Sequence, residues 1–274
     1  MIEYVDTHAH LQEGEFEEDA DLVIERARAA NVTTLVLPAV DLEAARKGLD
    51  LARRHAGVYA TAGYHPHEAS RLDQASLREI EALLPDAKVV AVGEIGLDFY
   101  RMHSPIEAQA AALDLMLALA ERHVMPVVIH CRDAWEALAD QLVPWARRVS
   151  PAFGGRPLGV LHYFSGSLDE ALRYVELGFL ISVHTSVTHP KAAALRDVVA
   201  QLPLESLVVE TDSPYGAPQA YRGKRNEPAY VVEAARQLAE LHSVSLDHVA
   251  AVTSANACRL FRLPVPATAS GGQP

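Results

Sequence analysis

A chain of 274 residues, half of them apolar, holds enough hydrophobic material for one large core, and α/β barrels run to about 250 residues as a single domain. The formal net charge of −12, from 36 acidic against 24 basic residues, disfavours broad coating of nucleic acid. It does not exclude a nuclease whose small active site is recharged by bound cations.

Val-, Ile- and Leu-rich stretches alternate with amphipathic ones along almost the whole chain. Strands are expected near 2–6, 33–38, 58–62, 88–93, 126–130, 158–163, 179–183 and 206–210. Helices are expected near 18–30, 42–55, 74–84, 105–123, 133–148, 168–177, 191–201 and 228–241, with a last one near 246–260. Pro126 before the fifth strand, Gly178 after the sixth helix, and Asn226 with Glu227-Pro228 at a helix start supply boundary signals. Eight β-then-α units predict a closed parallel (β/α)₈ barrel, a TIM barrel, over residues 1–262, with a doubly wound open sheet as the alternative. The tail from Leu263 to Pro274 reads as disordered.

No run reaches the roughly 18 uninterrupted apolar residues of a membrane span, and the N-terminus shows no secretory pattern, so a cytoplasmic protein away from membranes is expected. Cys131 and Cys258 are too few and too far apart for a disulfide framework or a thiolate zinc site, and are read as packed, reduced thiols.

The chemistry collects at one end of the strands. The first strand runs into His8-Ala9-His10, whose imidazoles at i and i+2 can share one side of an extended chain. An isolated pair of this kind is more often a solvated strand end than a metal site. Further chemistry-bearing residues fall at the same strand end: His65 and His67 after strand three, Glu94 and Asp98 after four, His130 and Arg132 after five, His162 after six, Asp212 after eight. In a barrel these ends converge on one face.

Each residue also has an ordinary explanation. His130 and His162 could be satisfied core histidines, Glu94 an ion-pair partner of Arg132, and Asp212 a turn residue or helix cap. Their coincidence on one face favours a site. His8, His10, Glu94, His130, His162 and Asp212 suit two divalent ions sharing a carboxylate and a water. Nitrogen and oxygen donors favour zinc, manganese, nickel or iron over calcium. His65 is the better of its pair for touching a phosphate or a weakly held third ion. His55, His123, His242 and His248 read as solvated helix residues; His103, His184 and His189 read as mouth-side loop residues that do not ligate.

Asp6-Thr7-His8-Ala9-His10-Leu11, Gly63-Tyr64-His65-Pro66-His67, Gly93-Glu94-Ile95-Gly96-Leu97-Asp98, Pro126 to Arg132, Glu210-Thr211-Asp212-Ser213-Pro214-Tyr215 and Arg222 to Pro228 resemble the signatures of TatD-type metal-dependent deoxyribonucleases, in the wider amidohydrolase-like superfamily. The resemblance implies a TIM barrel in which His8, His10 and Asp212 hold one ion, His130 and His162 hold another, and Glu94 bridges. It implies hydrolysis of DNA phosphodiesters, often from the 3′ end of single strands, with magnesium or manganese also serving, and with Asp212 orienting or deprotonating the attacking water. The chain departs from the pattern at Tyr163, where the family usually has Cys, in the segment Ser182 to His189, and at Gly216, where Leu is common. These departures bear on substrate fit.

Phosphate contacts are expected from Arg132, Arg222, Lys224 and Arg225, the last three being otherwise an ordinary basic loop. Competing readings are a two-metal amidohydrolase or esterase acting on a small substrate or on misacylated tRNA, and a non-catalytic metal-binding barrel. The carboxylated lysine that often bridges related centres has no counterpart, because none of Lys47, Lys88, Lys191 and Lys224 ends an early strand. No obligate protein partner is evident.

Overall fold

In the computed structural model, which describes residues 3–264, eight strands lie parallel in sequence order. They are β1 Tyr4–Asp6, β2 Val32–Leu37, β3 Val58–Ala62, β4 Val89–Asp98, β5 Val127–Arg132, β6 Gly159–Leu161, β7 Phe179–His184 and β8 Leu207–Glu210. The helices are α1 Ala20–Ala29, α2 Leu42–Arg54, α3 Gln74–Leu83, α4 Ile106–His123, α5 Trp135–Phe153, α6 Leu168–Glu176, α7 Ala193–Val199, α8 Val231–His242 and α9 Leu246–Phe261. The cylinder closes where Thr7 donates its backbone N–H to Val209 O at 3.2 Å and Asp212 donates to His8 O at 2.8 Å. The closed barrel is therefore the architecture, and the open sheet is not.

Local chemistry sets the helix starts. Asp41, Asp73 and Ser245 accept the backbone N–H three residues ahead, and Ser167 forms a reciprocal capping box with Glu170. Several boundaries differ from the sequence expectation. α5 runs to Phe153 because Pro144 and Pro151 are accommodated within it. The seventh helix begins as a short 3₁₀ turn at Pro190–Ala192, and α8 begins at Val231 after another at Pro228–Tyr230. β4 continues to Asp98, ten residues in all, because Gly96 takes φ +146° where any Cβ would overlap the backbone carbonyl of His130.

One residue from each strand builds the lower barrel layer: Val5, Val36, Tyr59, Val90, Val128, Val160, Leu180 and Val208. α9 plugs this end with Ala257, Cys258, Leu260 and Phe261. Leu263, expected in the tail, is buried in the same plug; residues 265–274 of that tail lie outside the described residues. With the alternation of a strand, Val128 pointing inward carries His130 inward, Val160 carries His162, and Val208 carries Glu210. The plugged end leaves the opposite mouth as the place where these polar side chains gather. Among the described residues no helix is long and apolar enough to cross a membrane.

Candidate metal centre

Glu94 stands at the middle of the mouth, 2% exposed, and its two oxygens face two different sets of donors. Oε2 lies 3.2 Å from His8 Nε2 and 4.0 Å from His10 Nε2, while Asp212 Oδ1 is 3.3 Å from His10 Nε2 and 3.7 Å from His8 Nε2. Oε1 lies 3.0 Å from His130 Nδ1, 3.3 Å from His162 Nε2 and 3.4 Å from His65 Nε2. Donors bound to one zinc at about 2.0–2.1 Å with tetrahedral angles stand about 3.3 Å apart, so most of these spacings match the edges of a coordination polyhedron. Ligand atoms of His8, His10 and Asp212, of His8, Glu94 and His162, and of His65, Glu94 and His130 each fall within 4.8 Å of one another. Among the described residues no such group joins His130 to His162, whose rings are 5.9 Å apart.

The electrostatics follow from this crowding. Burial disfavours charge on Glu94, but His162, His65 and His8 outweigh it and hold the carboxyl well below the usual range. Asp212 is likewise held down, against burial, by its hydrogen bond to His10 and by the charge of His162. Burial alone would lower His162, yet Glu210 and Glu94 raise it to about 9. His10 and His130 are raised in the same way by their carboxylates. His8, stacked on His162 at 3.6 Å, is lowered by burial and by that neighbour.

Outer carboxylates complete three of the imidazoles. His162 Nδ1 lies 3.2 Å from Glu210 Oε1, His130 Nε2 lies 3.1 Å from Asp98 Oδ2, and His10 Nδ1 lies 3.1 Å from Glu13 Oε1, although not in line for a hydrogen bond. At His162 and His130 the nitrogen facing Glu94 is thereby left as the lone-pair side of the ring. Sequence reading passed over Glu210, Asp98 as a partner, and Glu13. Glu210 sits two residues before Asp212 on the inward face of β8, a spacing that could have drawn attention to it. Asp6, also passed over, accepts from the N–H groups of His8 and Thr211 and from the Thr211 hydroxyl, binding β1 to the β8 loop.

His65 differs from its neighbours. Its Nδ1 accepts the backbone N–H of His67 at 3.1 Å, so the neutral ring carries its proton on Nε2 and donates towards Glu94. Burial, with His130 adding to it, lowers its pKa to about 4, which keeps the ring neutral. His65 therefore presents an N–H rather than a lone pair.

The remaining expectations separate by position. Arg132 lines the cavity, but the guanidinium of Arg225 is bonded to Glu15 O, Asp19 and Glu227 and lies over the Phe16 ring. Neither Arg222 nor Lys224 lines the cavity, and Lys224 sits over Tyr221. His184 ends β7 and is buried, its Nε2 donating to Thr211 O while Nδ1 accepts from Ser186; His189 Nε2 meets Ala217 O. His55 and His123 pair with Asp21 and Glu81. Lys88 donates to the carbonyls of His55 and Val58 at the far end of the barrel. Burial pushes the Cys131 thiol up to about 12, and both cysteines are buried.

The departures at Tyr163, His184 and Gly216 form one unit. Tyr163 stacks on His184 at 3.8 Å, and Gly216, at φ +60°, leaves the space that the His184 ring fills. A side chain at 216 would strike that ring, so leucine at 216 and this placement of His184 exclude each other.

A family profile described as TatD related DNase matches residues 5–262. The chain is 36% identical to an uncharacterized metal-dependent hydrolase, YabD, of Bacillus subtilis strain 168, over 94% of this chain and 98% of that protein. It is also 36% identical to the 3′-5′ ssDNA/RNA exonuclease TatD of Enterobacter lignolyticus, over 93% and 98%. The crystal structure of YjjV, a TatD homologue from Escherichia coli K12, superposes with a TM-score of 0.88 at 36% identity, covering 95% of this chain and 98% of that one. Donors at coordination spacing at the mouth of an eight-stranded barrel, and likeness to these proteins over nearly their full length, place the chain in the TatD-related DNase family of metal-dependent hydrolases.

Proposed function

We propose that the protein hydrolyses phosphodiester bonds of single-stranded DNA, and of RNA by the same chemistry, working from the 3′ end with two divalent ions. The observation that carries this reading is the division of donors between the two oxygens of Glu94. His8, His10 and Asp212 would hold one ion and His130 and His162 the other, with Glu94 between them. Binding would draw His130 towards His162. The donor set fits zinc, manganese, iron or nickel, and the preference of magnesium for oxygen donors is met less well by so many imidazoles. When bound, such ions lower the pKa of water and neutralise charge on a phosphate.

The chain's own groups do the rest. Asp212, held ionised and 13% exposed to the cavity, accepts the proton of the attacking water. His65 lines the cavity beside the reacting phosphate with its Nε2 proton directed at Glu94, and the Arg132 guanidinium steadies the phosphate from the rim. The relatives described as 3′-5′ ssDNA/RNA exonucleases support the substrate class and the direction.

The test is a panel with protein reconstituted in manganese or zinc: 3′- and 5′-labelled single strands, duplex DNA, RNA, aminoacyl-tRNA and bis(4-nitrophenyl) phosphate. Stepwise shortening of single strands from the 3′ end is expected. Cleavage of aminoacyl-tRNA or small esters alone would overturn the nuclease reading.

A further inference from the structure

The loop between β4 and α4 carries an exposed aromatic on an unusually well-held backbone. Tyr100 is 61% exposed and lines the metal centre's cavity. An exposed ring on a slack loop is unremarkable, but this loop is pinned at both ends by buried Gln109. Its Oε1 accepts from Asp98 N at 2.8 Å, and its Nε2 donates to Asp98 O and Ser104 O at 3.0 and 2.9 Å. Asp98 Oδ1 accepts from the N–H groups of Tyr100 and Arg101 at 2.9 and 2.7 Å. The other oxygen of Asp98 meets His130. One carboxylate thus fixes Tyr100 and a candidate metal ligand relative to each other.

Beneath the ring lies a cation. The Arg132 guanidinium is 5.0 Å from the Tyr100 centroid, and its nearest carboxylate, Asp133, is 3.9 Å away in solvent. Arg101 also lines this wall. The cavity, about 700 Å³, is continuous from these residues to Glu94 and Asp212, room enough for a nucleotide by the usual size of ligand pockets, about 300–1,000 Å³. Glu13 also lines the cavity, with Tyr215 donating its hydroxyl to it; Arg101 and Arg132 are the cavity's arginines, and both stand beside Tyr100 in the lining.

We propose that Tyr100, backed by Arg132, is a base-stacking subsite that seats one nucleobase of a single strand while its phosphate enters the metal centre. This rests on the nuclease reading above and adds where the strand binds. Stacking is indifferent to base identity because every base offers a π face, and the subsite excludes a paired base whose faces are already covered. The guanidinium, stacked on the ring's other side, remains free at its edge for a phosphate oxygen.

The experiment compares wild type with Tyr100→Ala and Tyr100→Phe on a short single-stranded DNA and on bis(4-nitrophenyl) phosphate, which has no base. A second readout is the fluorescence of a 2-aminopurine at the 3′ end of the DNA, bound to metal-free protein, where stacking quenches it. Tyr100→Ala is expected to raise KM for the DNA about 5- to 150-fold, several-fold more than for the small ester, with kcat less affected. It is expected to abolish the quenching, and Tyr100→Phe to restore both. Equal losses on the two substrates, or quenching that survives Tyr100→Ala, overturn the subsite. If wild type turns over the small ester but no DNA, the nuclease reading fails and the subsite with it; if it degrades DNA and Tyr100→Ala does so equally well, only the subsite falls.

Discussion

Glu210 has no direct line to the cavity, yet it faces His162 and accepts the Tyr163 backbone N–H at 2.6 Å. The carboxylate fixes which nitrogen of His162 carries the proton and so which one is free for an ion. Replacing Glu210 by Gln keeps the shape and removes the charge that holds His162 high. Metal affinity is expected to fall about 10- to 100-fold, read by calorimetric titration of the metal-free variant. An unchanged affinity would reduce Glu210 to a packing residue. At this scale the sequence was legible for the candidate donors and silent on their partners. His8 and His10 stand out by spacing alone, whereas Glu210 acquires its role from a residue 48 positions away. Arg225 shows the same limit in reverse. In the sequence it belongs to a basic loop, and only the approach of Asp19 and Glu227 occupies its guanidinium.

The β4–α4 connection is the element in which stability and function meet. Gln109, wholly buried on the first turns of α4, supplies three hydrogen bonds to loop backbone. Gln109→Leu would leave one N–H and two carbonyls without partners at similar volume. At about 1–3 kcal/mol for a buried group so abandoned, partly relieved by local relaxation, we expect a loss of about 2–4 kcal/mol in stability by thermal or urea unfolding. The KM for single-stranded DNA should rise as well, because the loop no longer holds Tyr100. Full stability would mean that the loop finds other partners. The sequence placed this strand's end at residue 93, while the structure extends β4 to Asp98. The continuation depends on glycine at 96, whose backbone lies against His130, a contact that strand propensity does not encode.

Over the whole molecule, the cluster makes the metal-free protein sensitive to pH in a definite direction. His162 is raised to about 9 from an ordinary 6.5, so its contribution is complete below pH 6.5 and is lost as pH rises through about 9. His10 and His130 act in the same direction. Metal binding needs the neutral imidazoles and strengthens over the same interval. The melting temperature of metal-free protein should therefore fall between pH 6.5 and 9 while the increment from added manganese or zinc grows. At a free metal concentration 100-fold above Kd that increment corresponds to about 2.7 kcal/mol. Scanning calorimetry with and without metal checks this, and an increment constant with pH would contradict it.

The sequence by itself determined the barrel and its single mouth, and named six candidate donors that the fold brings together there. The βα rhythm repeats eight times, and a parallel sheet of that rhythm sends every strand's carboxy end to one face. The tertiary structure alone decided how those donors divide. The two oxygens of Glu94 face different partners, His65 presents a proton where its neighbours present lone pairs, and Tyr163, His184 and Gly216 share one space. Such facts depend on distances of a few ångströms between residues far apart in the chain, which periodicity and local spacing do not record.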